Sequence, residues 1–191
     1  ILTGRWYQGY QMRLGFFSPQ VRGRLGSTVN VWIHAVSVGE VMMISHLIAK
    51  LKSTYPKYNI VLTVTTKTGY ELALKKLDSE VVVIPSPLDF SFVVSSFVKL
   101  IKPKLYIAAE TEIWPNLFRA LEGNKVPIAI INGRISDISF GRYKLIKGFL
   151  KGTLNKVSLF CMQSNLDVHR IKELGAPSEK VFNVGNIKFD D

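Results

Sequence analysis

Cysteine is almost absent from this sequence: Cys161 is the one thiol in 191 residues. A lone cysteine forms no internal disulfide, so the fold depends on none and a reducing compartment suits it. It sits in the apolar run 157–162 with no His or Lys flanking it closely, which points to an inert packed thiol. No apolar run reaches the roughly 18 residues that a membrane-crossing helix requires. The patterns G-x-x-x-x-G-K-[ST] and G-x-G-x-x-G are missing, which excludes the standard nucleotide loops. His34, His46 and His169 lack metal-ligand spacing, so structural roles are expected of them and no metal site. Basic residues never occur five in a row, so no nucleic-acid partner is expected.

Acid is missing altogether from residues 1–28. That stretch carries Arg5, Arg13, Arg22 and Arg24 interleaved with Trp6, Tyr7, Tyr10, Phe16 and Phe17, and its glycines break any long helix. Arginine with aromatics is the composition of a membrane-interface segment. Residues 1–28 are therefore expected to form a basic, membrane-proximal arm ahead of a domain over 29–191. An arm packed on that domain is the alternative. The chain opens on Ile1 and ends at Asp191 just after a candidate strand, so a piece of a longer protein is expected.

What is present describes a globular domain. Hydrophobic residues make up 47% and charged ones 20%. The net charge of +11 favours an anionic partner, or else a solvated lysine-rich surface. Short runs rich in Val and Ile, apolar on both parities, predict buried parallel strands at 29–36, 59–65, 80–84, 104–109, 126–131, 157–162 and 180–184. Helices are predicted between them at 40–53, 69–77, 89–101, 115–122, 139–154 and 164–174. This alternation predicts an α/β fold, a Rossmann-like, doubly wound, mainly parallel seven-stranded sheet.

Ligands of such sheets bind outside the carboxyl ends of the strands, so the residues after each strand share a functional edge. Glu40 follows Ser37 and Gly39 at a helix start, where it is either a charge complementing the helix dipole or a catalytic base. Ser37 can cap that helix. Glu110 and Glu112 end another strand, and period two puts them on one face of an extended chain. Thr66 and Gly69, and Asn132 with Arg134, belong to the same edge. Arg134 is a candidate anion clamp or a loop-tying ion pair, and Lys188 is a candidate charge-neutralising group. One competing pattern exists. Ala35 to Gly39 nearly matches the G-x-S-x-G nucleophile elbow, with Asp137 and His169 following in hydrolase order. Ala35 replaces the first glycine, however, and His169 falls within a predicted helix.

The edge motifs, taken in order, are His34-Ala35-Val36-Ser37-Val38-Gly39-Glu40, Thr65-Thr66-Lys67-Thr68-Gly69, Glu110-Thr111-Glu112-Ile113-Trp114-Pro115-Asn116-Leu117, Asn132-Gly133-Arg134-Ile135-Ser136 and Gly185-Asn186-Ile187-Lys188-Phe189-Asp190. Together they resemble the 3-deoxy-D-manno-octulosonic acid (Kdo) transferases of lipopolysaccharide synthesis. The resemblance implies the N-terminal, acceptor-binding half of a GT-B glycosyltransferase, with the C-terminal donor domain outside this chain. It implies inverting transfer of Kdo from CMP-Kdo to the lipid A precursor (lipid IVA), with no metal or other cofactor. The expected place is the cytoplasmic face of the bacterial inner membrane, against its anionic surface. By the same resemblance Glu40 is the proton acceptor, and Glu110 and Lys188 stabilise the transition state. Ser37, Gly39, Thr66, Gly69, Glu112, Asn132 and Arg134 line the substrate site. Gly133 stands where the family commonly has alanine, and the loop Pro85 to Asp89 is richer in proline than usual. The competing readings are a serine hydrolase using Ser37 and a non-catalytic basic module for anionic lipid or nucleic acid.

Overall fold

A computed structural model describes residues 4–26 and 29–187. Lys188, a predicted site residue, lies outside them. The strands are β1 (Val29–Ala35), β2 (Tyr58–Val64), β3 (Val82–Pro85), β4 (Pro103–Ala109), β5 (Ile128–Gly133), β6 (Leu159–Met162) and β7 (Val181–Asn183). All pair in parallel, in the order β3-β2-β1-β4-β5-β6-β7. The helices are α1 (Gly4–Arg13), α2 (Pro19–Gly26), α3 (Val38–Thr54), α4 (Lys67–Lys76), α5 (Ser91–Ile101), α6 (Pro115–Gly123), α7 (Asp137–Leu145), α8 (Lys147–Leu154) and α9 (Asn165–Glu173).

Period two sorts β1 into two cores. Val31, Ile33 and Ala35 point to the side covered by α3 and α4, where Val41, Ile44, Ile48 and Ala73 meet them. Trp32 points to the other side, among Phe97 of α5, Tyr106 of β4 and Phe118 of α6. Its ring stacks on Phe97 at 6.1 Å and meets Tyr106 edge-on at 5.2 Å. Both faces of the sheet are covered, which is why its strands lack polar alternation.

Two expectations need correcting. The single helix expected over 139–154 is two, because Ile146 leaves helical geometry (φ −117°, ψ 22°). The break lets α8 bury Leu150, Thr153 and Leu154, while α7 buries no residue fully and rests Phe140 and Tyr143 half-buried on the core. Strand β5 also runs later than expected, so Asn132 and Gly133 are its last residues and not the loop after it.

Part of the stretch before residue 29 packs on the sheet. Phe17 and Leu25 belong to the core on the α5 and α6 side, and Phe17 meets Phe97 at 4.8 Å. Arginines from this stretch donate to backbone carbonyls: Arg13 Nε to Ser86 O at 3.2 Å, Arg22 Nε to Phe17 O at 3.3 Å. The Arg24 guanidinium donates to Ser79 O and Val81 O. Asn30 is fully buried and fastens this layer. Its amide donates to Leu25 O at the end of α2 and to Ile101 O at the end of α5, and its carbonyl accepts from Asn59. Asn30→Ala leaves those buried carbonyls without a donor. It is expected to lower unfolding stability by about 1–3 kcal/mol in a urea titration, with the secondary structure intact by circular dichroism.

Candidate functional site

The sheet reverses its winding at β1. The chain leaves β1 toward β2 on one side, and β4 returns on the other. Neighbouring loops diverge there, and the crevice between them is the usual binding place of this sheet type. The loop after β1 carries Glu40, and the loop after β4 carries Glu110 and Glu112.

Glu40 sits in the first turn of α3 and is 7% exposed. Its carboxylate accepts from Val36 N–H at 2.8 Å and from Ser37 Oγ at 3.0 Å. Ser37 is the helix N-cap, and its hydroxyl oxygen accepts from Glu40 N–H at 3.5 Å. The exchange resembles a capping box shifted by one residue, and it holds the glutamate in one rotamer. Burial raises the Glu40 pKa, against the hydrogen bonds from Val36 and Ser37, and the charge of Glu110 raises it further.

Strand β4 ends in an unusual turn. Glu110 adopts a left-handed conformation (φ 60°), and Glu112 N–H donates to Glu110 O at 3.1 Å. The extended alternation expected for Glu110 and Glu112 therefore stops at Ala109. A non-glycine residue held at positive φ costs about 1–3 kcal/mol, and such strain concentrates at functional sites. The turn keeps both carboxylates within electrostatic reach of Glu40. Burial lifts Glu112 to a pKa of about 7, with further contributions from the charges of Glu40 and Glu110. Among the described residues, no group of three or more His, Cys, Asp or Glu is arranged to hold a metal ion.

The remaining predicted site residues divide by what they touch. Thr66 caps α4, accepting from Gly69 N–H at 3.2 Å. At Gly69 an added Cβ would lie 2.9 Å from Thr66 Oγ1 and 3.2 Å from the Ser37 carbonyl carbon. Glycine there lets α4 press against the Glu40 loop. At Gly39 an added Cβ would meet Ser37 Oγ at 3.9 Å, an ordinary contact. Asn132 is fully buried at φ 53°, with its amide on Met43 Sδ, its side-chain oxygen accepting from Ile187 N–H and its backbone carbonyl accepting from Gln163. It ties the chain at Ile187 to the same edge. Arg134 is exposed, and no ion pair or hydrogen bond ties it among the described residues. Gly133 has a local reason: a methyl group there would meet Met162 Sδ at 2.5 Å.

Ser37, Asp137 and His169 do not form a triad. Ser37 donates to Glu40, Asp137 pairs with Arg170, and His169 is exposed beside Glu173. No hydrogen bond links the three among the described residues.

Two further residues matter. Asp89 accepts from the backbone N–H of Asn116 at 3.1 Å and of Leu117 at 2.8 Å, so it caps α6 from across the edge. Trp114 at the N-cap of α6 has no oxygen to offer, which was the sequence sign that a cap must come from elsewhere. His34 is buried, with Nδ1 2.9 Å from Thr63 Oγ1 and its ring edge-on to Trp114. Burial, then the charge of Arg13, holds its pKa near 4, so it stays neutral. A surface groove of about 620 Å³ between α3 and α4 includes Ser45, Lys52 and Asp78 and contains none of the three site glutamates.

Comparison with known proteins gives this edge a context. A family model described as 3-deoxy-D-manno-octulosonic-acid transferase matches residues 8–191. A 3-deoxy-D-manno-octulosonic acid transferase of Haemophilus influenzae is 36% identical over 194 residues, covering 100% of this chain and 44% of that protein. A bifunctional glycosyltransferase/methyltransferase of Fusobacterium nucleatum is 45% identical over 161 residues, covering 83% of this chain and 25% of that protein. The chain thus spans less than half the length of these relatives. A UDP-GlcNAc 2-epimerase structure from Neisseria meningitidis shares the fold with a TM-score of 0.58 at 14% identity, over 83% of this chain and 47% of that one. The family match spans every described edge loop, and the chain belongs to the 3-deoxy-D-manno-octulosonic-acid transferase family of glycosyltransferases.

Proposed function

We propose that this chain is the acceptor-side half of an inverting Kdo transferase, moving Kdo from CMP-Kdo to a lipid A precursor at the cytoplasmic face of the inner membrane. The observation that carries the reading is Glu40: a buried carboxylate of raised pKa, held in one rotamer beside the sheet's reversal point. A hydroxyl of the acceptor attacks the anomeric carbon of Kdo and forms the new C–O bond. The bond from that carbon to the phosphate oxygen of CMP breaks, and CMP leaves with the electron pair. Glu40 takes the hydroxyl proton as the attack proceeds. The anomeric centre passes through an oxocarbenium-like state, as in glycoside hydrolysis, and the charge of Glu110 stabilises it. Lys188 offsets the negative charge of the departing CMP, which a C-terminal domain holds. The reaction needs no metal in this account. Arg134, exposed and unpaired among the described residues, pairs with an anionic group of the acceptor in this reading.

Glu40→Gln keeps the side chain's shape and removes its basicity. In the full-length protein it is expected to lower kcat for CMP-Kdo turnover by about 10²–10⁴-fold. Ser37→Ala removes one cap and is expected to keep most turnover; abolished turnover in that variant with Glu40→Gln active would favour the hydrolase reading. A second test concerns Glu112. Its folded pKa of about 7 exceeds the 4.5 of an unperturbed glutamate, so the folded state binds more protons across that window. Stability from this group is therefore present at low pH and lost as pH rises toward about 7. Glu112→Gln is expected to raise the thermal midpoint at pH 8 more than at pH 5, and an equal shift at both would contradict the assignment.

A further inference from the structure

We propose that His34 is a positioning residue for sugar transfer: its Nε2–H holds one buried water against Asp89, and this bridge fixes Trp114 and the Glu110–Glu112 turn relative to Glu40. The kinetic side of the inference rests on the Kdo-transfer reading; the water site and the anchoring of the turn do not. At the carboxyl edge lies a cavity of about 10 Å³ lined by His34, Ser86, Pro87, Asp89, Trp114 and Leu117. That is room for about one water and nothing larger. His34 is 2% exposed, and its Nε2 has no hydrogen-bond partner among the described residues. Nδ1 is turned to Thr63, so Nε2 is the ring nitrogen left for the cavity. A bare buried nitrogen is costly, and it marks a place where a polar ligand belongs.

The hydrogen bonds around the ring place its proton. Thr63 Oγ1 accepts from Trp32 Nε1 at 2.9 Å. Its own hydrogen has two acceptors in reach, His34 Nδ1 at 2.9 Å and Ile33 O at 3.4 Å, and the shorter contact is the better bond. Nδ1 is therefore an acceptor. Burial, then the charge of Arg13, holds the His34 pKa at about 4, so the imidazole is neutral and its single proton sits on Nε2. A water that accepts from Nε2–H has two hydrogens to place. Asp89 Oδ1 takes the Leu117 N–H at 2.8 Å and keeps a lone pair for one of them. Ser86 Oγ, 2.9 Å from Thr65 Oγ1, serves the other. Three polar partners are what a buried water takes. An N–H donor beside a carboxylate suits neither a cation nor an anion, and water serves both.

The position gives the bridge its purpose. His34 follows Trp32 by two residues, so it points to the α5 and α6 side of the sheet, on the strand that leads to Glu40. The turn after β4 is tied at its start, where Glu110 N–H donates to Ile131 O at 2.8 Å. Its far end is Trp114, which offers no capping oxygen, so α6 is held from across the edge by Asp89. The His34 ring meets the Trp114 ring edge-on at 5.9 Å. Against the burial that raises the Glu112 pKa, the Trp114 indole N–H lowers it, so the indole bears on that carboxyl. A water between His34 and Asp89 joins β1 to both supports of the turn, the Asp89 cap and the Trp114 ring.

The test compares two substitutions in the full-length protein. Glutamine carries an amide N–H about as far as Nε2 reaches, whereas asparagine is shorter and leaves the cavity side without a donor. Both remove the ring, so its packing on Trp114 is lost equally. A crystal structure of the wild type is expected to show one water within hydrogen-bond distance of His34 Nε2 and the Asp89 carboxylate. His34→Asn is expected to displace the turn between residues 110 and 114, and His34→Gln to keep it in place. In Kdo transfer, His34→Asn is expected to lower kcat by about 10–100-fold with KM for CMP-Kdo changed less than about threefold, and His34→Gln to stay within about threefold of wild type. Nitrogen-15 spectra of the histidine rings are expected to show His34 as the Nε2–H tautomer, with that proton in cross-relaxation with bound water. An Nδ1–H tautomer, no water in the wild-type cavity, or an unmoved turn in His34→Asn would overturn the proposal. So would an equal loss of kcat in the two variants, which is the mark of ring packing alone. If the wild type transfers no Kdo while the water and the displaced turn are found, the catalytic reading fails and the bridge stands.

Discussion

Strand β1 lies between β2 and β4, and its two parallel pairings set everything at the carboxyl edge. Because the chain winds outward in opposite directions from this strand, the loops after β1 and β4 part company and leave a crevice. Burial on both faces keeps β1 in register: Ile33 is locked among the α3 and α4 side chains and Trp32 among the aromatics opposite. A one-residue slip would exchange the two sets and bury nothing well. The site glutamates are held to that register, since Glu40 is reached five residues after Ala35 and Glu110 one residue after Ala109.

The electrostatics follow from the crowding. Three carboxylates meet beside the crevice, and neither Lys nor Arg is hydrogen-bonded or ion-paired to them among the described residues. Burial and mutual repulsion push protons onto Glu40 and Glu112, whereas the Val36 N–H and Ser37 hydroxyl limit the effect at Glu40. A carboxylate base near its substrate gains from such a shift, because a raised pKa makes it a better proton acceptor. The left-handed Glu110 is the backbone cost of bringing the second loop to the first.

Much of this was legible in the residues. The apolar runs located all seven strands, since buried parallel strands advertise themselves on both parities, and Ser37 read as a cap because its spacing to Glu40 is that of a helix start. Three things were not legible. The break at Ile146 arises from tertiary demand, because α8 must bury Leu150 and Leu154 fully while α7 only rests Phe140 and Tyr143 on the core. The turn at Glu110 overrides the period-two expectation, as no local signal marks a non-glycine residue that the fold will hold at positive φ. The use of Arg13 and Arg24 on carbonyls just outside the two ends of β3 was invisible to composition, which sees arginine beside aromatics and cannot see that Ser86 or Val81 lies next to them in the fold.

The central claim is that a buried, charge-crowded Glu40 is the base. The measurement that reaches it most directly is the pH dependence of kcat/KM in the full-length protein, wild type against Glu110→Gln. The acid limb of the wild type should fall above the ordinary carboxylate range, because burial and Glu110 both raise the Glu40 pKa. Removing the Glu110 charge should move that limb to lower pH, even as it lowers the rate. A wild-type limb at the unperturbed carboxylate value, or one that Glu110→Gln leaves in place, would contradict the account.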